Sequence, residues 1–138
     1  MKSFHVSRLQ LRNFIRRARR RYPDEYIETI WGRKGSSGTH QICSFQNVDH
    51  DATPFNITDW DEADMPNGQQ HGNLVCLGTI HSHPNISDAS PSEDDWDFFR
   101  QEREIVSAIC LLTPVNGKLK SRVRWFISQA MIDVEYGK

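Results

Sequence analysis

Residues 74–96 read LVCLGTIHSHPNISDASPSEDDW, and the segment changes character halfway along. Leu74 to Ile80 is a continuous apolar run of strand length, the signature of a strand buried on both faces. It delivers the chain into His81-Ser82-His83-Pro84. Side chains alternate across a strand, so two histidines two residues apart at its end point to one side, where both imidazoles reach one metal ion. Ser92, three residues before Asp95, has the pattern of a helix N-cap with acidic residues in the first turn, opening a helix to about Glu104. A carboxylate from that turn supplies a third ligand and leaves the fourth position of a zinc ion to water, whose pKa zinc lowers toward neutrality.

Upstream, Val6 to Arg21 sets Leu9, Leu11, Phe14, Ile15 and Ala18 at helical spacing with arginines on the other face, and Pro23 ends that helix. Glu25 to Gly32 alternates as a strand does, with Ile27, Thr29 and Trp31 against Tyr26, Glu28 and Ile30. Gly32 to Gly38 is a turn into a second strand, His40 to Val48. Asp49 to Gly72 is polar and acidic, a long loop with room for a short strand at Phe55 to Ile57; such loops serve as binding elements or covers. Downstream, Val106 to Leu112, Leu119 to Ile127 and Met131 to Tyr136 read as strands, with a turn at Pro114 to Gly117. With no repeat and no linker, residues 1–138 make one domain, an α/β sandwich around a mixed sheet.

A formal net charge of −1 leaves no overall field to recruit nucleic acid or an anionic membrane. The arginines from Arg16 to Arg21 are a local exception, read as a solvated helix face or a contact for an acidic partner protein, because the aromatic interleaving of a nucleic-acid groove is missing. The N-terminus lacks the apolar core of a secretory signal and no apolar stretch is long enough to span a membrane, so a cytoplasmic protein is expected. Cys43, Cys76 and Cys110 are odd in number, widely spaced and set in apolar runs, which fits buried reduced thiols. The lack of a CxxC pair speaks against a thiolate zinc site and against the ligand set of a zinc deaminase.

The segment HSHP followed by Ser92, Glu93, Asp94 and Asp95 resembles the JAMM (MPN-plus) metallopeptidase motif, in which HxHP precedes a serine, two residues and a metal-binding aspartate. The interval from His83 is one residue longer than is usual in that family. Counted rigidly it selects Asp94; an extra residue in the loop from Asn85 to Ser90 is easily absorbed, whereas shifting the Ser-x-x-Asp register turns the ligand about 100° around the helix. Asp95 is therefore the expected ligand, with Asp94 as the alternative. Pro23-Asp24-Glu25 stands where the family carries its upstream P-x-E, and the family often has glycine where this chain has Glu28.

The resemblance implies a zinc site of His81, His83 and Asp95, with Glu25 as general base and Ser92 as hydrogen-bond donor to the oxyanion. It implies the cytidine-deaminase-like α/β/α sandwich around a mixed, curved sheet, and a small, stand-alone, prokaryotic-type member. The implied activity is hydrolysis of an amide bond at the C-terminal tail of a ubiquitin-like protein or its conjugate. An inert MPN-type scaffold and a DNA-associated protein similar to the RadC group stay as alternatives. His5, His40, His50 and His71 lack partner spacing and read as surface or loop residues; Trp31, Trp60, Trp96 and Trp125 read mostly as core anchors.

Overall fold

Phe4 and Val6 are buried while Ser3 and His5 are exposed, a period of two that makes a strand, β1 (Ser3–Ser7), whose last two residues, Val6 and Ser7, fall in the span expected to be helical. Ser7 closes β1 and caps α1 (Arg8–Arg21), its Oγ accepting from the Gln10 amide at 3.3 Å. The computed structural model describes residues 3–35, 38–47, 70–71, 74–84, 105–127 and 130–137. The expected strand at Phe55 to Ile57, nearly all of the Asp49 to Gly72 loop and the helix from Ser92 to Glu104 lie outside them. So do Ser92, Asp94, Asp95, Trp60, Trp96 and His50.

The remaining strands are β2 (Ile27–Lys34), β3 (Thr39–Asn47), β4 (Gln70–His71), β5 (Leu74–Pro84), β6 (Val106–Val115), β7 (Lys118–Ile127), β8 (Ala130–Ile132) and β9 (Glu135–Gly137). They form one mixed sheet in the order β8-β7-β6-β5-β2-β3-β1-β9, with β4 against the start of β5. β1 runs parallel to β3 and β9, and β5 parallel to β6; the other pairs are antiparallel. The expected single strand Met131 to Tyr136 is two strands, β8 on β7 and β9 on β1, at opposite ends of this order. Only Asp133 and Val134 separate them, so the sheet curls until its two edges meet, and Trp125 Nε1 donates to Tyr136 Oη across the seam at 2.9 Å.

Bulges help the sheet curl. The β2–β5 register slips between Ile30 and Trp31 and the β2–β3 register slips between Trp31 and Gly32, so both neighbours of β2 kink at one level. Gly32 lies at that level because a Cβ there would stand 1.9 Å from the Gln41 carbonyl oxygen. Between β6 and β7 the chain reverses in two residues, Asn116 (φ 52°) and Gly117 (φ 78°), the pair suited to a tight hairpin turn of that hand.

The sheet curls around α1. Leu11, Phe14 and Ala18 meet Phe4, Val6, Tyr26, Ile30, Phe45, Ile80, Ala108, Cys110, Leu112 and Trp125 in one core, with Phe14 packed on both Tyr26 and Phe45. His40, expected at the surface, belongs to this inner face and packs on Phe4 at 5.0 Å between ring centroids, whereas His5 is exposed as expected. A second, smaller cluster of Ile109, Leu111 and Phe126 lies on the outer face.

One ion pair crosses the inner core. Glu28 is 0 % exposed and accepts both Arg17 Nε (2.6 Å) and Arg17 Nη2 (2.8 Å) from α1, while the Tyr26 hydroxyl also donates to it. Burial, with the Glu28 carboxylate beside it, pushes the Tyr26 hydroxyl well above the ordinary phenol range, and Glu28 raises Arg17 further. A buried carboxylate is tolerable only with such partners. Arg17→Met is expected to lower stability by about 2–3 kcal/mol in urea unfolding, less than for a wholly buried pair because Arg17 is partly solvated. Arg17→Met/Glu28→Met should recover at least half of that loss; losses that simply add would show that Glu28 is not held as a charge.

Cys76 and Cys110 are buried as expected, and burial pushes the Cys110 thiol up to about 12. Cys43, at the β3 bulge, is only half-buried. A chromogenic disulfide reagent at mildly alkaline pH should therefore titrate one thiol quickly in the native protein and three after denaturation. Two fast thiols, or a fast phase that survives Cys43→Ala, would contradict this burial.

Candidate metal centre

The apolar run beginning at Leu74 does not stop at Ile80: β5 continues through both histidines to Pro84, because β6 pairs alongside it from Gly78 to Pro84. Alternation then decides which side each residue serves. Ile80 and Ser82 face the inner core, and Thr79, His81 and His83 face outward. Beside the histidines on β6 stand Ile109 and Leu111, in register with His81 and His83, and these apolar neighbours form the floor on one side. His81 and His83 are each only 3 % exposed, and their Nε2 atoms converge to 2.8 Å.

Glu25 comes from the other side. β2 is antiparallel to β5 with Ile27 opposite His81, and the same register carried two residues back sets Glu25 opposite His83. The register is pinned at the residue between. The Ser82 amide donates to the Tyr26 carbonyl at 2.8 Å, and the Tyr26 amide donates to Ser82 Oγ at 2.9 Å. Glu25, 9 % exposed, thereby holds its Oε1 3.9 Å from His83 Nε2. One ligand atom each of Glu25, His81 and His83 lies within 4.8 Å of the others.

Two imidazole nitrogens and a carboxylate are a donor set suited to zinc. Metal–nitrogen bonds of about 2.0–2.1 Å at a tetrahedral centre set their nitrogens about 3.3 Å apart, so the rings fit the ion after opening by roughly half an ångström. Of the five residues anticipated from sequence, the structure brings Glu25, His81 and His83 together; Ser92 and Asp95 lie outside the described residues, as does Asp94. Sequence reasoning missed Ser82 and Tyr26, which fix the approach of Glu25. The signal was present in Ser82, a small polar residue that alternation sends inward between two outward histidines.

A family model described as prokaryotic homologs of the JAB domain matches residues 8–128. Among solved structures, the chain is similar to a JAB1/MPN domain protein from Archaeoglobus fulgidus, at 19% identity over 100% of both chains with a TM-score of 0.66. It is also similar to a protein from Salinibacter ruber, at 16% identity over 99% of this chain and 92% of that one with a TM-score of 0.60. A protein from Desulfitobacterium hafniense matches at 17% identity over 96% and 90%, with a TM-score of 0.58. No curated protein matches the chain in sequence. At these identities the structures speak for the fold, a mixed, curved α/β sheet, and the family model speaks for kinship. The chain belongs to the family of prokaryotic homologs of the JAB domain.

Proposed function

We propose that this chain is a zinc-dependent metallopeptidase that hydrolyses an amide bond at the C-terminal tail of a ubiquitin-like protein or its conjugate. The observation that carries the reading is the convergence of the Glu25 carboxylate with two buried histidine nitrogens at the end of a central strand. An inert scaffold has no packing need for that group. His81 and His83 would hold the ion, with Asp95 from the segment after Pro84 as third ligand. Zinc supplies a water of lowered pKa and polarises the scissile carbonyl.

Glu25 is assigned the proton transfers, from the attacking water to the leaving amine, and its place beside His83 rather than on β5 suits a base that must move a proton without giving up a metal bond. Ser92 is assigned the hydrogen bond to the oxyanion. Ser82 and Tyr26 are positioning residues, and the apolar Ile109 and Leu111 keep water from one side of the histidines.

Metal content by elemental mass spectrometry and cleavage of a ubiquitin-like protein amide-linked to a coumarin amine test these roles together. Wild type should bind about one zinc per chain. His81→Ala, His83→Ala and Asp95→Ala should lose it, and Asp94→Ala should keep it; the opposite result for the two aspartates would move the ligand by one residue. Glu25→Gln should keep zinc and lose roughly a hundredfold or more in kcat. Loss of the metal in that variant would make Glu25 a ligand instead.

Ser82→Ala removes the acceptor for the Tyr26 amide and should lower stability by about 1–2 kcal/mol. It should reduce kcat while leaving zinc content unchanged. A variant with normal kcat would show that the Tyr26–Ser82 link does not position Glu25.

A further inference from the structure

The outer face that carries His81 and His83 also carries a row of cations. β6 and β7 pair without a slip from Ser107↔Phe126 to Val115↔Lys118, with Ile109 opposite Arg124 and Leu111 opposite Arg122. Because paired residues share a face, Lys118, Lys120, Arg122 and Arg124 line up on the side of the histidines. The sequence across the sheet is His83, Leu111, Arg122 on one line and His81, Ile109, Arg124 on the next, about 10 Å from β5 to β7. Lys118, Lys120 and Arg122 are exposed, and none of the four pairs with a carboxylate among the described residues. Arg124 Nε is buried there without a hydrogen-bond partner.

Among the described residues the backbone beside this row is open as well. β8 pairs only with Trp125 to Ile127, so from Lys118 to Arg124 β7 has β6 on one side and, among the described residues, a free edge on the other. We infer that this edge takes an extended acidic segment of the substrate protein, added as a strand along β7 with carboxylates at alternate positions facing Lys118, Lys120, Arg122 and Arg124. Side chains on one face of a strand recur about every 6.7 Å, which is the spacing of the row and of alternate residues in the added strand. Backbone bonds supply affinity and the charges fix register and selectivity. The inference rests on the reading of the site as a peptidase, because a polypeptide is then the molecule that crosses this face. The exposed arginines of α1 do not share the role, since α1 packs on the inner face.

The test uses a fluorescent peptide of alternating Glu and Thr, a peptide of the same composition with the glutamates in one block, and an oligothymidylate of equal charge. Anisotropy is read at low salt for wild type, for Lys118→Thr/Lys120→Thr/Arg122→Thr, and for Arg8→Ser/Arg12→Ser/Arg16→Ser on α1. The alternating peptide should bind wild type tightest, weaken roughly tenfold in the β7 variant and stay within about twofold in the α1 variant. Equal affinity for wild type and the β7 variant would overturn the inference and leave the cations as protection of a free edge. Tighter binding of the oligothymidylate, or of the block peptide, would overturn it as well. Zinc content of the same preparations reports separately: a wild type that binds the alternating peptide but no zinc fails the peptidase reading, not the β7 surface.

Discussion

The antiparallel contact between β2 and β5 at Tyr26 and Ser82 is the constraint on which the candidate site depends. Two hydrogen bonds there, one to a carbonyl and one to a side-chain hydroxyl, fix the register at the last point before β2 begins. A slip of one residue would send every side chain beyond it to the other face. Glu25 would then face the core and the histidines would stand without a carboxylate.

The inner face reinforces that register. Tyr26 also packs on Phe14 of α1 and donates through its hydroxyl to Glu28, which is clasped in turn by Arg17. The place of Glu28 is structural: it ties the helix to the strand whose preceding residue pair sets the candidate site. The helix on one side of the sheet and the candidate metal-binding group on the other are thus joined through a single stretch of backbone, Glu25 to Glu28.

Much of this was legible because its signals are local. Alternation along Glu25 to Gly32 and the paired histidines follow from a period of two and the apolar run from Leu74 from burial on both faces; β5 keeps its alternation from Gly78 through the histidines and breaks it only at the bulge before Gly78. What escaped depended on partners far away in sequence. Val6 fits a helical pattern as well as a strand, and its pairing with Ile42 decides between them. Asp133 and Val134 carry no turn signature, yet the curl of the sheet puts the residues before them on β7 and those after them on β1. His40 looked like a surface residue until β1 laid Phe4 against it. Ser82 was hidden by its neighbours, since a motif read for its histidines gives no weight to the residue between them.

X-ray absorption at the zinc edge of the reconstituted wild-type protein tests the central claim most directly, because it reads the atoms around the ion. The expected spectrum is that of a four-coordinate centre with two imidazole nitrogens and oxygen donors at about 2.0–2.1 Å. A sulfur scatterer at about 2.3 Å, a single imidazole, or a protein that takes up no zinc would contradict it.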